Sequence, residues 1–126
     1  MVADLGLAAS ATSMILERPA TTAWYRAPEA CVPGAKVSTT ALDMWSFGAL
    51  LTALWTGTQL FQFHAAPASG LETENRMLLQ RIVHVLGWPE DVWPDVAKLP
   101  RWPEMHGALQ APKEQKPFQD LLLSAV

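Results

Sequence analysis

The sequence predicts a mainly α-helical single domain. Two observations point there: two long segments that read as helices, each ended by a glycine, and prolines and small residues gathered around them as loops. With 126 residues there is room for at most one domain, and a chain of that size buries roughly 65–70 % of its unfolded surface when compact.

Residues 1 to 40 show no sustained helical period. They are rich in Ala, Ser and Thr and broken by Pro19, Pro28, Pro33 and Gly34, which favour loop and turn. The first helix is expected from Thr40, where Thr40 and Asp43 fit a capping box, to Gly57, a natural residue after a last helical turn. Its apolar residues Leu42, Trp45, Leu50, Leu51, Leu54 and Trp55 surround the axis, so this central helix calls for burial on every side.

Residues 62 to 71 read as a small-residue loop with Pro67 and Gly70. Thr73 is then expected to cap a second helix carrying Leu78, Leu79, Ile82, Val85 and Leu86, with Gly87 and Pro89 ending it. Six of the ten prolines follow between Trp88 and Pro117, which predicts mostly extended loop with one helical turn near Glu90 to Trp93. Phe118 to Val126 closes the chain as a short apolar helix. No internal repeat or heptad is visible.

Composition narrows the function classes. A 50 % apolar and 17 % charged chain is globular, and a net charge of −3 offers nothing to nucleic acid or to an anionic membrane. Met44 to Trp55, the most apolar run, falls short of the roughly 20 residues that a bilayer span needs. No secretory signal pattern opens the chain. The single cysteine, Cys31, fits a reducing compartment and a structural thiol. His64, His84 and His106 are too far apart in sequence for a metal-ligand pattern.

Three motifs occur in one order. Asp4-Leu5-Gly6-Leu7-Ala8 opens the chain, Thr22-Ala23-Trp24-Tyr25-Arg26-Ala27-Pro28-Glu29 follows, and fourteen residues past Glu29 comes Asp43-Met44-Trp45-Ser46-Phe47-Gly48. This order resembles the activation segment of a eukaryotic protein kinase, from its D-F-G triplet to its A-P-E triplet and beyond. Leu60-Phe61, Arg81 to Pro89, Val92 to Val96 and Leu99-Pro100 extend the likeness to the CMGC group of Ser/Thr kinases and its cyclin-dependent-kinase-like branch. The resemblance covers nearly the whole chain. It implies a partial kinase C-lobe without an N-lobe: activation segment over 1–40, central helix over 41–57, and the remainder of the lobe over 58–126.

The resemblance also assigns roles. Asp4 matches the carboxylate that holds Mg²⁺ against the ATP phosphates; the plainer alternative is a surface Asp in an Asp-x-Gly turn. Leu5 stands where the family usually has Phe. Thr22 matches the threonine that bonds the catalytic Asp and the phosphate-binding Lys, and Arg26 the residue shaping the pocket for the position after the phosphoacceptor, a pocket that prefers proline in this group. A loop hydroxyl and a locally paired cation are the alternatives for those two. Glu17 occupies the register of the activating phosphothreonine, with one charge where a phosphate carries about −1.5 to −2. Ala9 replaces an arginine that reads that phosphate, and Ser10, Thr12 and Ser13 are ordinary loop hydroxyls.

Within the Ala27-Pro28-Glu29 triplet, Glu29 matches a carboxylate whose arginine partner is not in these residues, so it is expected to stay wet or to loosen its segment. Asp43, which in relatives bonds the catalytic loop, is expected to cap its helix with Thr40; Trp45 and Gly48 complete that structural motif. The chain begins three residues before Asp4 and contains no Gly-rich loop, strand lysine or catalytic-loop Asp and Asn. It is therefore expected to be a truncated kinase that binds neither ATP nor Mg²⁺ usefully alone. The alternative is a non-catalytic module in which the helix and Pro-rich loop from Thr73 to Pro103, with Trp88, Trp93 and Trp102, dock a regulatory subunit or cyclin; the plainer reading packs those tryptophans against the lobe. A cytoplasmic or nuclear location follows from the family, as do protein substrates in a complete enzyme.

Overall fold

The computed structural model describes residues 3, 6, 8, 21–35, 39–91, 93–111 and 118–123. Among them the regular structure is helical, with four α-helices and short 3₁₀ turns, as the sequence predicts. None of these helices is long and apolar enough to cross a membrane.

Helix α1 spans Thr40–Thr56, and its end is the expected one: Gly57 takes φ 72° and its N–H reaches the Ala53 carbonyl at 2.9 Å. A left-handed residue here costs a glycine little. The start differs. Thr40 is already the first helical residue, Thr39 flanks it, and no side-chain hydrogen bond closes the cap. With Thr39 in that place the third helical residue is Leu42, which has no carboxylate to return the bond, so the Thr40–Asp43 capping box does not form.

Helix α2 spans Leu71–Leu86, three residues ahead of the start that a Thr73 cap implies, with Gly70 as its flanking residue and Glu72 and Glu74 in its first turn. Acidic side chains there complement the positive end of the helix dipole, which lets a glycine stand where a hydroxyl cap was expected. Gly87, at φ 90°, closes the helix onto the Val83 carbonyl at 3.0 Å.

The proline-rich stretch is more helical than expected. Pro89–Asp91 and Pro94–Lys98 form 3₁₀ turns, and Trp102–Ala108 forms helix α3. Pro94 and Pro103 stand in the first turn of their elements, where the missing N–H is no loss and the fixed φ already suits a helix. The same residue type that stops one helix starts the next. Helix α4, Phe118–Leu123, lies against α1.

Helix α2 is the centre of the core. Leu78, Leu79 and Val83 are completely buried, with Ile82 and Val85 beside them. Cys31 and Val32 cover one side; Val96, Trp102, Met105 and Leu109 belong to the same cluster. Polar ties fix the layers: Gln80 exchanges two hydrogen bonds with the Gln110 backbone, at 2.8 and 2.7 Å, and Trp102 Nε1 donates to Glu90 at 2.9 Å. Trp102 is only 2 % exposed, and Trp88 and Trp93 are half-buried against the core, so all three pack inward.

Helix α1 is different. Ala49 is its only buried residue, while Met44, Phe47, Leu50, Leu51, Leu54 and Trp55 are exposed. The burial on every side that its composition calls for is not met among the described residues. Its inner side is held by Trp45, stacked on Phe61 with ring centres 5.3 Å apart.

Candidate functional site

The segment from Thr21 to Cys31 is a pair of 3₁₀ turns, Ala23–Tyr25 and Pro28–Cys31, joined by the extended residues Arg26 and Ala27. Extended backbone before Pro28 is what a proline demands of its predecessor. The Tyr25 and Arg26 amides bond the carbonyls of Thr22 and Ala23, each at 3.0 Å, which closes the first turn. Ser46 of α1 places its hydroxyl 2.8 Å from the Tyr25 carbonyl, tying the segment to that helix.

Arg26 lies at the centre of the site and is 5 % exposed. Its Nη1 donates to Asn75 Oδ1 at 2.5 Å and to Glu74 Oε2 at 3.1 Å, both on α2, while Nη2 donates to the Thr21 carbonyl at 3.2 Å. Nε has no acceptor among the described residues. A buried guanidinium needs a counter-charge and acceptors, and α2 supplies both.

Around Arg26 the chemistry is muted. Cys31 is fully buried, its Sγ lies 3.4 Å from the Ala27 carbonyl, and burial pushes the thiol up to about 12, so it is no nucleophile at neutral pH. Glu29 is half-buried, and desolvation raises its carboxyl above the usual glutamate value. Among the described residues no cation lies within ion-pair distance of it. Thr22 is exposed.

The family model for the protein kinase domain matches residues 1–124. The chain belongs to the protein kinase family. It is similar to cyclin-dependent kinase 8 of Caenorhabditis elegans, 34 % identical over 105 residues, a match covering 79 % of this chain and 18 % of that protein. Cyclin-dependent kinase B2-1 of Oryza sativa subsp. japonica is 41 % identical over 106 residues, with 82 % and 29 % covered. Cyclin-dependent kinase B2-2 of Arabidopsis thaliana is 41 % identical over 106 residues, with 82 % and 30 % covered. The chain thus spans less than a third of the length of these relatives, and it is a cyclin-dependent-kinase-like member of the CMGC group of Ser/Thr kinases.

In this kinase chain the motif residues are placed unevenly. Asp4, Leu5 and Glu17 lie outside the described residues, and Gly6 is an exposed turn residue. Ala27 and Pro28 are buried and seat the segment on the core. Asp43 and Gly48 are exposed on α1, and Trp45 packs inward with no acceptor for its Nε1 among the described residues. Protein kinases use ATP and Mg²⁺; the described residues include no group of three His, Cys, Asp or Glu side chains able to hold a metal.

Sequence reading did not find Glu74 and Asn75. The signal was available for Asn75: it stands three and four residues before Leu78 and Leu79, so a polar residue occupies a core register of α2. A buried asparagine there requires a partner.

Proposed function

We propose that this chain is the substrate-side part of a cyclin-dependent-kinase-like Ser/Thr kinase domain, and that its 126 residues alone do not transfer phosphate. The whole reaction would move the ATP γ-phosphate to a Ser or Thr followed by proline. The observation that carries this reading is the hydrogen bond from Arg26 Nη2 to the Thr21 carbonyl. That carbonyl precedes Thr22, the residue matched to the threonine that contacts the catalytic Asp. With one lone pair already taken by a cation, it is a poor acceptor for the backbone N–H of an incoming peptide. A residue after the phosphoacceptor that has an N–H would leave it unmet, whereas proline has none to leave.

Asp4 takes the Mg²⁺-holding role in this reading and Thr22 the role of bridging the catalytic Asp and Lys. Glu17 takes the place of the phosphothreonine, and a cyclin or small regulatory subunit is the partner of the complete enzyme, in the cytoplasm or nucleus. Phosphoryl transfer depends on positioning and electrostatics supplied by several groups at once. These residues contain no strand lysine, Gly-rich loop or catalytic-loop Asp, and losing even one member of such a set costs orders of magnitude. Purified chain mixed with Mg-ATP and a Ser-Pro peptide is expected to show neither nucleotide binding nor phosphopeptide by mass spectrometry. Turnover by these residues would overturn the inactive reading.

A second reading, a non-catalytic binding module, is favoured by one feature, the exposed apolar side of α1. Capture of a purified cyclin by the chain, abolished by Leu54→Glu, would support it; no capture would leave the first reading alone.

A further inference from the structure

We propose that Glu74 and Asn75 of α2 are positioning residues that set the preference for proline after the phosphoacceptor, by fixing Arg26 on the Thr21 carbonyl. The inference rests on the functional reading above and adds the groups that enforce it.

A guanidinium is flat and rigid, so anchoring one of its nitrogens aims the others. Here Nη1 is anchored twice, by Asn75 Oδ1 and by Glu74 Oε2. Consecutive helical residues point about 100° apart around the axis. A nitrogen that touches both therefore sits between two sides of α2 and has little freedom to swing. Nη2 is then left facing the Thr21 carbonyl at 3.2 Å.

The two acceptors do different work. Glu74 is 33 % exposed in its side chain, so its charge balances the buried cation while keeping part of its own hydration. Asn75 is 5 % exposed and brings a directional acceptor without a second buried charge. Glu74 is thus the counter-charge and Asn75 the aim. Without Asn75 the guanidinium is still neutralised but free to tilt away from Thr21, and the carbonyl can then accept from a peptide N–H.

The test uses the full chain, ¹⁵N-labelled, titrated with two synthetic peptides that differ only in proline or alanine after the serine. Amide shifts of Thr21 to Ala27 give the two affinities. The wild type is expected to favour the proline peptide about fivefold, the worth of one hydrogen bond left unmade. In Asn75→Leu the ratio should fall to about one, with Asn75→Asp restoring it, while thermal melting reports the fold separately. If Asn75→Leu does not fold, Glu74→Gln, at a part-exposed position, carries the same comparison with a smaller drop. A wild-type ratio of one, or no binding of either peptide, overturns the functional reading and this inference with it. A proline preference that survives Asn75→Leu and Glu74→Gln overturns only the inference.

Discussion

Helices α1 and α2 are nearly equal in length and opposite in fate. Helix α1 carries one charged residue, Asp43, in seventeen positions, yet buries only Ala49. Helix α2 carries Glu72, Glu74, Arg76, Arg81 and His84 and still buries six residues, five of them apolar. The difference lies in pattern: α2 gathers its apolar residues on one side and its charges on the other, so a single packing surface satisfies it. Helix α1 is apolar all round and needs neighbours on every side. Among the described residues it is held by Trp45 stacked on Phe61, by the Ser46 hydroxyl, by buried Ala49 and by contact with α4.

The largest test of that contrast is a pair of identical truncations. Leu79 is completely buried on α2, and Leu79→Ala is expected to cost about 3 kcal/mol from lost burial and the cavity left behind. Leu54 on α1 is 73 % exposed, and Leu54→Ala should fall within about 0.5 kcal/mol of wild type. Urea unfolding of the three proteins measures both. Equal costs would mean that Leu54 is packed in solution and would break the comparison.

Next in size is association. Met44, Phe47, Leu51 and Leu54 follow one another at spacings of three, four and three, so they line one seam of α1, and all are exposed. A contiguous apolar stripe of this kind drives self-association in water. Sedimentation is expected to show mass rising with concentration, and Phe47→Glu with Leu54→Glu should return the chain to monomer. A wild-type monomer that melts in one sharp step would contradict this.

What the sequence could show follows from the range of each interaction. Helix ends that rest on a positive φ were readable, because Gly57 and Gly87 announce themselves locally. Helix starts were not: Thr40 and Thr73 looked like caps, but which threonine flanks the helix depends on where the chain enters it. The prolines misled because Pro94 and Pro103 open elements rather than end them. At the site, Arg26 was legible from its motif, and its partners were not. Glu74 and Asn75 lie 48 and 49 residues away, a separation that no local pattern bridges.

A smaller effect tests the open side of α1 directly. Gly48 lies inside the helix, and a Cβ built there meets nothing within 4 Å. Glycine inside a helix is disfavoured against alanine by roughly 0.5–1 kcal/mol, so Gly48→Ala is expected to stabilise the chain by about that amount. Thermal melting under matched conditions measures it. A loss of stability would place a neighbour against that face and sharpen where α1 is covered.

The smallest effect, and the one whose sign carries most, concerns Glu29. It sits on the Pro28–Cys31 turn that seats against α2, yet its carboxyl is half-buried without a cation nearby among the described residues. Burial raises its pKa above the ordinary glutamate value of 4.5. The native state therefore holds the proton more tightly than the unfolded chain does, and ionised Glu29 works against the fold at neutral pH. Its favourable contribution is complete below 4.5 and is lost as pH rises through the raised native value. Glu29→Gln, which keeps the shape and removes the charge, should then be more stable than wild type at pH 7, with the gap closing as pH falls toward 4.5. Urea midpoints of both proteins across that range measure it. Were Glu29 paired with a cation instead, the ordering at pH 7 would invert, because the variant would strand that cation; a carboxylate with its partner and one without are thus separated by the sign of a single difference.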